Sequence, residues 1–416
     1  MTEEKKFKIA AKTLILHPVF LTDTADPEYK LEEATGLAAA IELNIDRGLI
    51  VPLKEPKPDS LFGGGKISEL GDYITNNKIE LVYVNSKLTP VQQSNLEKVW
   101  NVKVIDRSGL ILEIFGARAR TSEGKLQVEL AALEYQKSRL VRAWTHLERQ
   151  RGGFGFMGGP GETQIEMDKR MINGRISKIK KLLAKVVTTR ELHRKTRRDV
   201  PYTIIALAGY TNAGKSTLFN RLTGASVLAE DKLFATLDPT MRMIKLPSGR
   251  KAIMSDTVGF ISDLPHELVA AFRATLEEVS EADIILHVRD IAAPETELQK
   301  SNVEEVLSEL VSKEKLRDSC FEILNKIDLL PGRPPAGIAI SALTGQGVDK
   351  MLKWIDEKIS ERNETKTFKV PVINGAAIAW LYAHGKVEKR KDLKTTINLT
   401  VNISEENVQK YEKLFG

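Results

Sequence analysis

Ile204-Ile205-Ala206-Leu207-Ala208-Gly209-Tyr210-Thr211-Asn212-Ala213-Gly214-Lys215-Ser216 is the stretch that decides the fold. An apolar run the length of a buried strand passes into a turn bounded by glycines, and a helical pattern over residues 217–222 follows at once. A Gly-x-x-x-x-Gly-Lys-Ser turn between strand and helix is built to hold phosphate. Its glycines let main-chain N–H groups approach the anion, and the helix N-terminus adds positive potential. Lys215 is expected to reach the β- and γ-phosphates, and Ser216 to offer its hydroxyl to Mg2+. Gly209, Tyr210, Thr211, Asn212, Ala213, Gly214 and Thr217 complete the expected phosphate contacts.

Further along the chain, Asn325-Lys326-Ile327-Asp328 follows the apolar strand 321–324 and separates guanine from adenine. Asp328 can accept hydrogen bonds from both N1 and N2 of guanine, and adenine offers no such pair. A buried carboxylate left unpaired costs more than the ~1–3 kcal/mol of one unsatisfied polar group, so the site would reject ATP as well as accept GTP. Lys326 would lie along the base, and Ser341-Ala342-Leu343, after the strand 337–340, would give a main-chain amide to guanine O6. Asp256-Thr257-Val258-Gly259 ends the strand 251–255; Asp256 is expected to hold Mg2+ through a water, and the Gly259 N–H to meet the γ-phosphate. Phe234-Ala235-Thr236-Leu237-Asp238-Pro239-Thr240 lies between and should bring a threonine to the metal, with Thr236 preferred over Thr240. Lys215, Thr236 and Gly259 are the expected catalytic contacts. Many GTPases carry a glutamine after Asp-x-x-Gly to orient the attacking water, whereas this chain has Phe260, which cannot do so. Hydrolysis is therefore expected to be slow alone and to be completed by a partner, with His266 as the nearest local substitute.

The chain has 416 residues, 42% hydrophobic and 28% charged, with a net charge of +6. That length calls for several domains, and no apolar run approaches the roughly 20 residues of a membrane span. A single cysteine, Cys320, excludes internal disulfides and cysteine-rich zinc sites and fits a reducing compartment. A cytoplasmic address is expected, with peripheral membrane association as a possible addition, and neither a secretory signal nor a transit peptide is visible.

Strand and helix patterns alternate through residues 1–120, which reads as an N-terminal parallel α/β domain. Residues 121–199 read as two long amphipathic helices. The six glycines and one proline at 152–161 form the tip of an antiparallel hairpin. Residues 200–364 make the P-loop GTPase domain, and 365–416 a small α+β unit. Residues 107–200 hold 21 Lys and Arg against 10 Asp and Glu, a local field suited to nucleic acid. Arg118, Arg139, Arg149, Arg151, Lys169 and Arg170 suit phosphate contacts, and Phe154, Phe156 and Met157 at the tip could stack on unpaired bases.

These motifs resemble the HflX family of ribosome-associated, translation-factor-related GTPases. The matching residues are the P-loop at 209–216, Phe-Ala-Thr-Leu-Asp-Pro-Thr at 234–240, Asp-Thr-Val-Gly-Phe at 256–260, Leu-Pro-His-Glu-Leu-Val at 264–269 and Asn-Lys-Ile-Asp at 325–328. Two hairpin motifs, Glu-Gly-Lys-Leu-Gln-Val-Glu-Leu at 123–130 and Gly-Pro-Gly-Glu-Thr-Gln at 159–164, set this family apart from other GTPases. The family tip usually carries an arginine before Gly-Pro-Gly-Glu-Thr, where this chain has Met157-Gly158-Gly159. The resemblance implies a monomer that binds rRNA of the large ribosomal subunit, not DNA, and splits or rescues stalled ribosomes under stress. It also implies weak ATP binding by the N-terminal domain. There Leu61-Phe62-Gly63-Gly64-Gly65-Lys66 lacks the Gly-Lys-Ser/Thr ending and reads as a tight turn. Two rival readings use the same residues: a hibernation or large-subunit assembly factor that separates nothing, and an ATP-dependent RNA-remodelling enzyme.

Overall fold

The computed structural model describes residues 11–150, 160–198, 202–225, 233–234, 240–262, 278–332, 335–361, 364–403 and 405–416. Near the N-terminus β1 (Lys12–Phe20), α1 (Pro27–Ala40), β2 (Asn44–Leu53), α2 (Gly64–Asn76), β3 (Leu81–Val84), α3 (Pro90–Trp100), β4 (Lys103–Asp106) and α4 (Arg107–Arg118) alternate. All their strand pairs are parallel, in the order β2-β1-β3-β4. Side chains alternate across the sheet. Leu14 and Leu16 enter a core with Leu70, Ile74 and Trp100. Ile15 points the other way, into a core with Leu37 and Phe115 that continues into Phe234, Val258, Phe260 and Ile261 of the next domain. One apolar core therefore spans the first two sheets. Gly63, read as part of a tight turn, caps α2 after Leu61 takes a left-handed φ of 63°.

α5 (Ser122–Gln150) and α6 (Pro160–Arg198) are the expected long helices. The glycine-rich tip is shorter than the sequence suggested, because α6 starts at Pro160. A proline fits the first helical position, where its missing N–H would have no helical partner. α6 returns along α5, as the side-chain pairs between them show. Arg175 pairs with Glu129 at 2.6 Å and Lys180 with Glu134 at 2.9 Å, while Ile176 and Ile179 are buried.

The hairpin is rooted in the N-terminal sheet by Asp106, which is fully buried. Its carboxylate accepts from Gly109 N (2.8 Å), capping α4, and from Leu88 N (3.2 Å). From α5 it also accepts from Tyr135 Oη (2.6 Å) and Arg139 Nη2 (2.6 Å). Arg139, expected to face RNA, is thereby committed to holding the hairpin.

The third block comprises β5 (Thr203–Ala208), α7 (Lys215–Thr223), β6 (Thr240–Lys245), β7 (Lys251–Asp256), β8 (Ile284–Asp290), α8 (Thr296–Leu310), α9 (Lys313–Ser319), β9 (Cys320–Asn325), β10 (Ile338–Ala339) and α10 (Val348–Glu361). Its sheet order is β10-β9-β8-β5-β7-β6, parallel except for the β6–β7 edge. β5 lies between β7 and β8, so a crevice opens at its carboxyl end, where sheets of this kind bind ligands. Cys320 opens β9; burial pushes its thiol up to about 11, so it stays protonated. Finally β11 (Glu364–Pro371), α11 (Gly375–His384), β12 (Lys386–Asp392), β13 (Thr396–Ile403) and α12 (Glu405–Phe415) form an antiparallel sheet, β11-β13-β12, with two helices. Trp380 packs against Tyr411 and Phe415, and Tyr382 on the same helix is 49% exposed.

Asp106→Ala would leave three donors and the Arg139 guanidinium without their acceptor, and is expected to lower stability by about 3 kcal/mol. Denaturant unfolding measures it, and Arg139→Met, which leaves Asp106 its three other donors, should cost less.

The candidate nucleotide site

The P-loop is shaped by close contacts that only glycine allows. Gly209 has φ +151°, and a Cβ there would stand 2.2 Å from Val288 O; Gly214 has φ +91°, and its Cβ would stand 2.2 Å from Asn325 Nδ2. Asn325 is the keystone of the site. Its Nδ2 donates to Ala213 O (2.8 Å) and its Oδ1 accepts from Ala342 N (2.9 Å), so one side chain joins the phosphate loop to both guanine-reading segments. The Ala342 amide is thus engaged, and the amide of Leu343 is the one in that loop left for a base carbonyl. Asp328 is exposed beside them. Lys326, at φ 65°, pairs with Asp290 at 2.8 Å. Arg221 of α7 donates to Ala342 O at 2.6 Å and to Leu343 O, bracing the loop from below. Sequence reading missed Asp290 and Arg221. The only hint of Asp290 was an acid at the carboxyl end of a strand.

Lys215 is buried and its Nζ donates to Gly209 O (3.0 Å) and Tyr210 O (2.7 Å). Burial lowers its pKa to about 8, with Asp256 opposing the shift. Ser216 Oγ donates to Asp256 Oδ2 at 2.7 Å. A hydroxyl and a carboxylate oxygen in contact beside a phosphate loop fit Mg2+, whose remaining ligands would be phosphate and water oxygens. Among the described residues no group of three or more His, Cys, Asp or Glu could hold a metal without a nucleotide.

The segment after Asp256 closes over the P-loop. Thr257 Oγ1 donates to Leu207 O (2.6 Å), Phe260 N to Gly209 O (3.1 Å) and Thr211 N to Phe260 O (2.7 Å). A Cβ on Gly259 would lie 3.1 Å from Lys215 Nζ and 2.8 Å from Thr211 Cα, so the loop needs glycine here. The Phe260 ring is 2% exposed and lies in the shared core. Phe234, read as nucleotide-facing, is buried edge-on against Phe115 with ring centroids 4.6 Å apart. Ala235, Thr236, Leu237, Asp238 and His266 lie outside the described residues, as do Arg151, Phe154, Phe156 and Met157. Thr240 opens β6 opposite Asp256.

A buried polar cluster, unforeseen from sequence, fastens this site to the N-terminal domain. Arg107 Nη2 donates to Glu33 Oε2 (2.8 Å) and Ser262 O (3.0 Å), and its Nη1 to Asn85 Oδ1 (2.7 Å). Tyr210 of the P-loop donates its hydroxyl to Glu33 and accepts from Ser262 N (2.9 Å), and Lys30 Nζ donates to Ser262 Oγ (2.7 Å). Burial alone would raise the Glu33 carboxyl; Arg107, Lys30 and the Tyr210 hydroxyl bring it below its ordinary value, so it is ionised. Burial beside Glu33 pushes the Tyr210 phenol well up, keeping it a donor.

A phosphate loop at the centre of a mostly parallel sheet, a Ser–Asp metal pair and a guanine-reading Asn-Lys-x-Asp define a P-loop GTPase. Four family profiles match in succession: "GTP-binding GTPase N-terminal" over residues 28–116, "GTP-binding GTPase Middle Region" over 118–197, "50S ribosome-binding GTPase" over 204–326 and "HflX C-terminal domain" over 332–416. The GTPase HflX of Magnetococcus marinus is 49% identical over 382 residues, 90% of this chain and 88% of its own. That of Escherichia coli is 40% identical over 390 residues, 91% and 90% respectively. A GTP-binding protein from Sulfolobus solfataricus, solved with GDP, is 23% identical, with a TM-score of 0.46 over 84% of this chain and 99% of that one. The chain belongs to the HflX family, and it is a GTP hydrolase.

Polyphosphate needs the charged form of Lys215. With the free-protein pKa near 8, nucleotide binding should take up a proton as pH rises through 8, and affinity should fall over the same interval. Calorimetry of GDP binding at pH 8.5 in buffers of different ionisation enthalpy should show this uptake, and Lys215→Met should abolish it.

Proposed function

We propose that this GTPase binds the large ribosomal subunit through its basic hairpin and separates stalled ribosomes, the GTP state favouring binding and hydrolysis favouring release. The observation that carries the reading is the cluster at Ser262. This residue lies three positions after Gly259, in a segment whose order depends on the γ-phosphate in related switches. Its hydrogen bonds to Arg107 and Lys30 run to the domain in which Asp106 roots the hairpin. A change at the γ-phosphate can therefore reach the hairpin without crossing a flexible joint. Exposed Arg170, Lys178 and Lys181 on α6, with Met167 and Met171 exposed one turn apart beside them, suit a phosphate-rich surface that also offers apolar base faces. Lys169 flanks Arg170, and Arg149 lies in the last turn of α5. The match of residues 204–326 to a family described as ribosome-binding agrees with this partner. Mg2+ would be held by Ser216, Asp256 and the nucleotide, with Thr236 closing over it. Lys215 and Gly259 would contact the γ-phosphate. Phe260 leaves water positioning incomplete, so the ribosome would accelerate hydrolysis.

Light scattering of 70S particles should fall on adding the protein with GTP or a nonhydrolysable analogue and stay level with GDP. Binding without loss of scattering would favour a hibernation or assembly factor instead. Glu33→Gln should retain GDP affinity within about twofold but lose most of the difference between nucleotides.

A further inference from the structure

The P-loop carries, between its glycines, a threonine whose hydroxyl makes no hydrogen bond among the described residues. Thr211 is 6% exposed, and its Oγ1 is buried. Its main chain is fixed, since the amide donates to Phe260 O and Tyr210 forms a parallel bridge with Phe260. Its Cγ2 lies 2.9 Å from the point a Cβ on Gly259 would occupy, and Lys215 Nζ lies 3.1 Å from that same point. Thr211 thus borders the small space between the Gly259 main chain and the Lys215 ammonium, the two groups that the loop geometry turns toward a terminal phosphate. A buried hydroxyl without a partner is costly in a folded protein and calls for an explanation. The neighbouring residue that supplies a polar side chain in many GTPases is here Phe260, turned into the core.

We infer that Thr211 is a further catalytic residue, whose hydroxyl donates a hydrogen bond to an oxygen of the terminal phosphoryl group as that group passes from GDP to water. In this hydrolysis the water oxygen forms a bond to phosphorus and the bond to the β-phosphate oxygen breaks. The water proton ends on inorganic phosphate, and Thr211 neither gains nor loses one. The bond strengthens as the phosphoryl group flattens and its equatorial oxygens carry the spread charge, so Thr211 stabilises the transition state more than the bound substrate. GDP, which lacks that group, gains nothing from it.

The test compares Thr211→Val, which keeps shape and removes the hydroxyl, with Thr211→Ser, which restores it. It is run without ribosomes, so its outcome is independent of the ribosomal reading. Single-turnover GTP hydrolysis should slow about 10- to 100-fold in the valine variant and recover to within about threefold of the unmodified protein in the serine variant. Affinity for GDP with aluminium fluoride, which mimics the flattened phosphoryl group, should fall by a similar factor in Thr211→Val alone. GDP affinity and melting temperature should be unchanged in both. Hydrolysis by Thr211→Val at the unmodified rate would overturn the assignment, as would equal slowing in both variants. A loss of GDP affinity matching the loss of rate would also overturn it, because Thr211 would then shape the loop and not the reaction.

Discussion

The hydrogen bonds from Arg107 to Glu33 and to the carbonyl of Ser262 are the constraint on which the rest of this structure turns. Arg107 opens α4, the helix that follows the last strand of the N-terminal sheet, and Ser262 follows Gly259, the residue proposed to contact the γ-phosphate. A buried ion pair is weak evidence for stability, because desolvating both charges offsets much of their attraction. The other members of the cluster are paired as well, since Tyr210, Lys30 and Asn85 each take part, and only Arg107 Nε is left buried without a partner in it. What such a network supplies is a preferred arrangement, since any displacement of the 259–262 segment leaves an arginine and a glutamate partly unpaired in a dry place. The apolar surround acts in the same direction. Phe260 and Ile261 share a core with Leu37 and Phe115, and Leu233 reaches to within 3.2 Å of where a Cβ on Gly36 would lie. Segments on both sides of the phosphate site are therefore seated on the N-terminal domain.

This seating explains why Phe260 is compatible with a working GTPase. A side chain that occupies the shared core cannot orient water, but it can fix where the following residues lie. The loop is tied to the P-loop by paired main-chain bonds at Gly209, Thr211 and Phe260, and to the other domain by the bonds that Ser262 accepts from Arg107 and Lys30. Chemistry and coupling are divided between adjacent residues. Asn325 plays the matching part on the guanine side, where its amide holds Ala213 and Ala342 in register. The two sides meet at the P-loop, so the whole nucleotide crevice is braced from the carboxyl ends of β5, β8 and β9.

The features legible in the sequence were the local ones. Strand, glycine turn and helix at 204–222 are contiguous, and Asn325 and Asp256 stand at strand ends whose apolar runs are plain. The alternating pattern before residue 118 gave the parallel sheet for the same reason. The interdomain cluster was invisible because its members are far apart in the chain: Glu33 and Ser262 are separated by 229 positions. Charge counting also misled, since it treated every arginine in 107–200 as available to nucleic acid. Arg107 and Arg139 are instead spent on Glu33 and Asp106, and a sum over a segment contains no information about burial or pairing.

The nucleotide state is proposed to pass to the hairpin through the buried cluster between Ser262 and the N-terminal domain. Spin labels on cysteines placed at exposed Ser177 of α6 and Lys350 of α10, with Cys320 replaced by serine, would report the distance between hairpin and GTPase domain. The account predicts different distance distributions with GDP and with a nonhydrolysable GTP analogue, and predicts that Glu33→Gln makes the two coincide. Identical distributions in both nucleotide states of the otherwise unaltered protein, or a difference that survives Glu33→Gln in full, would contradict it.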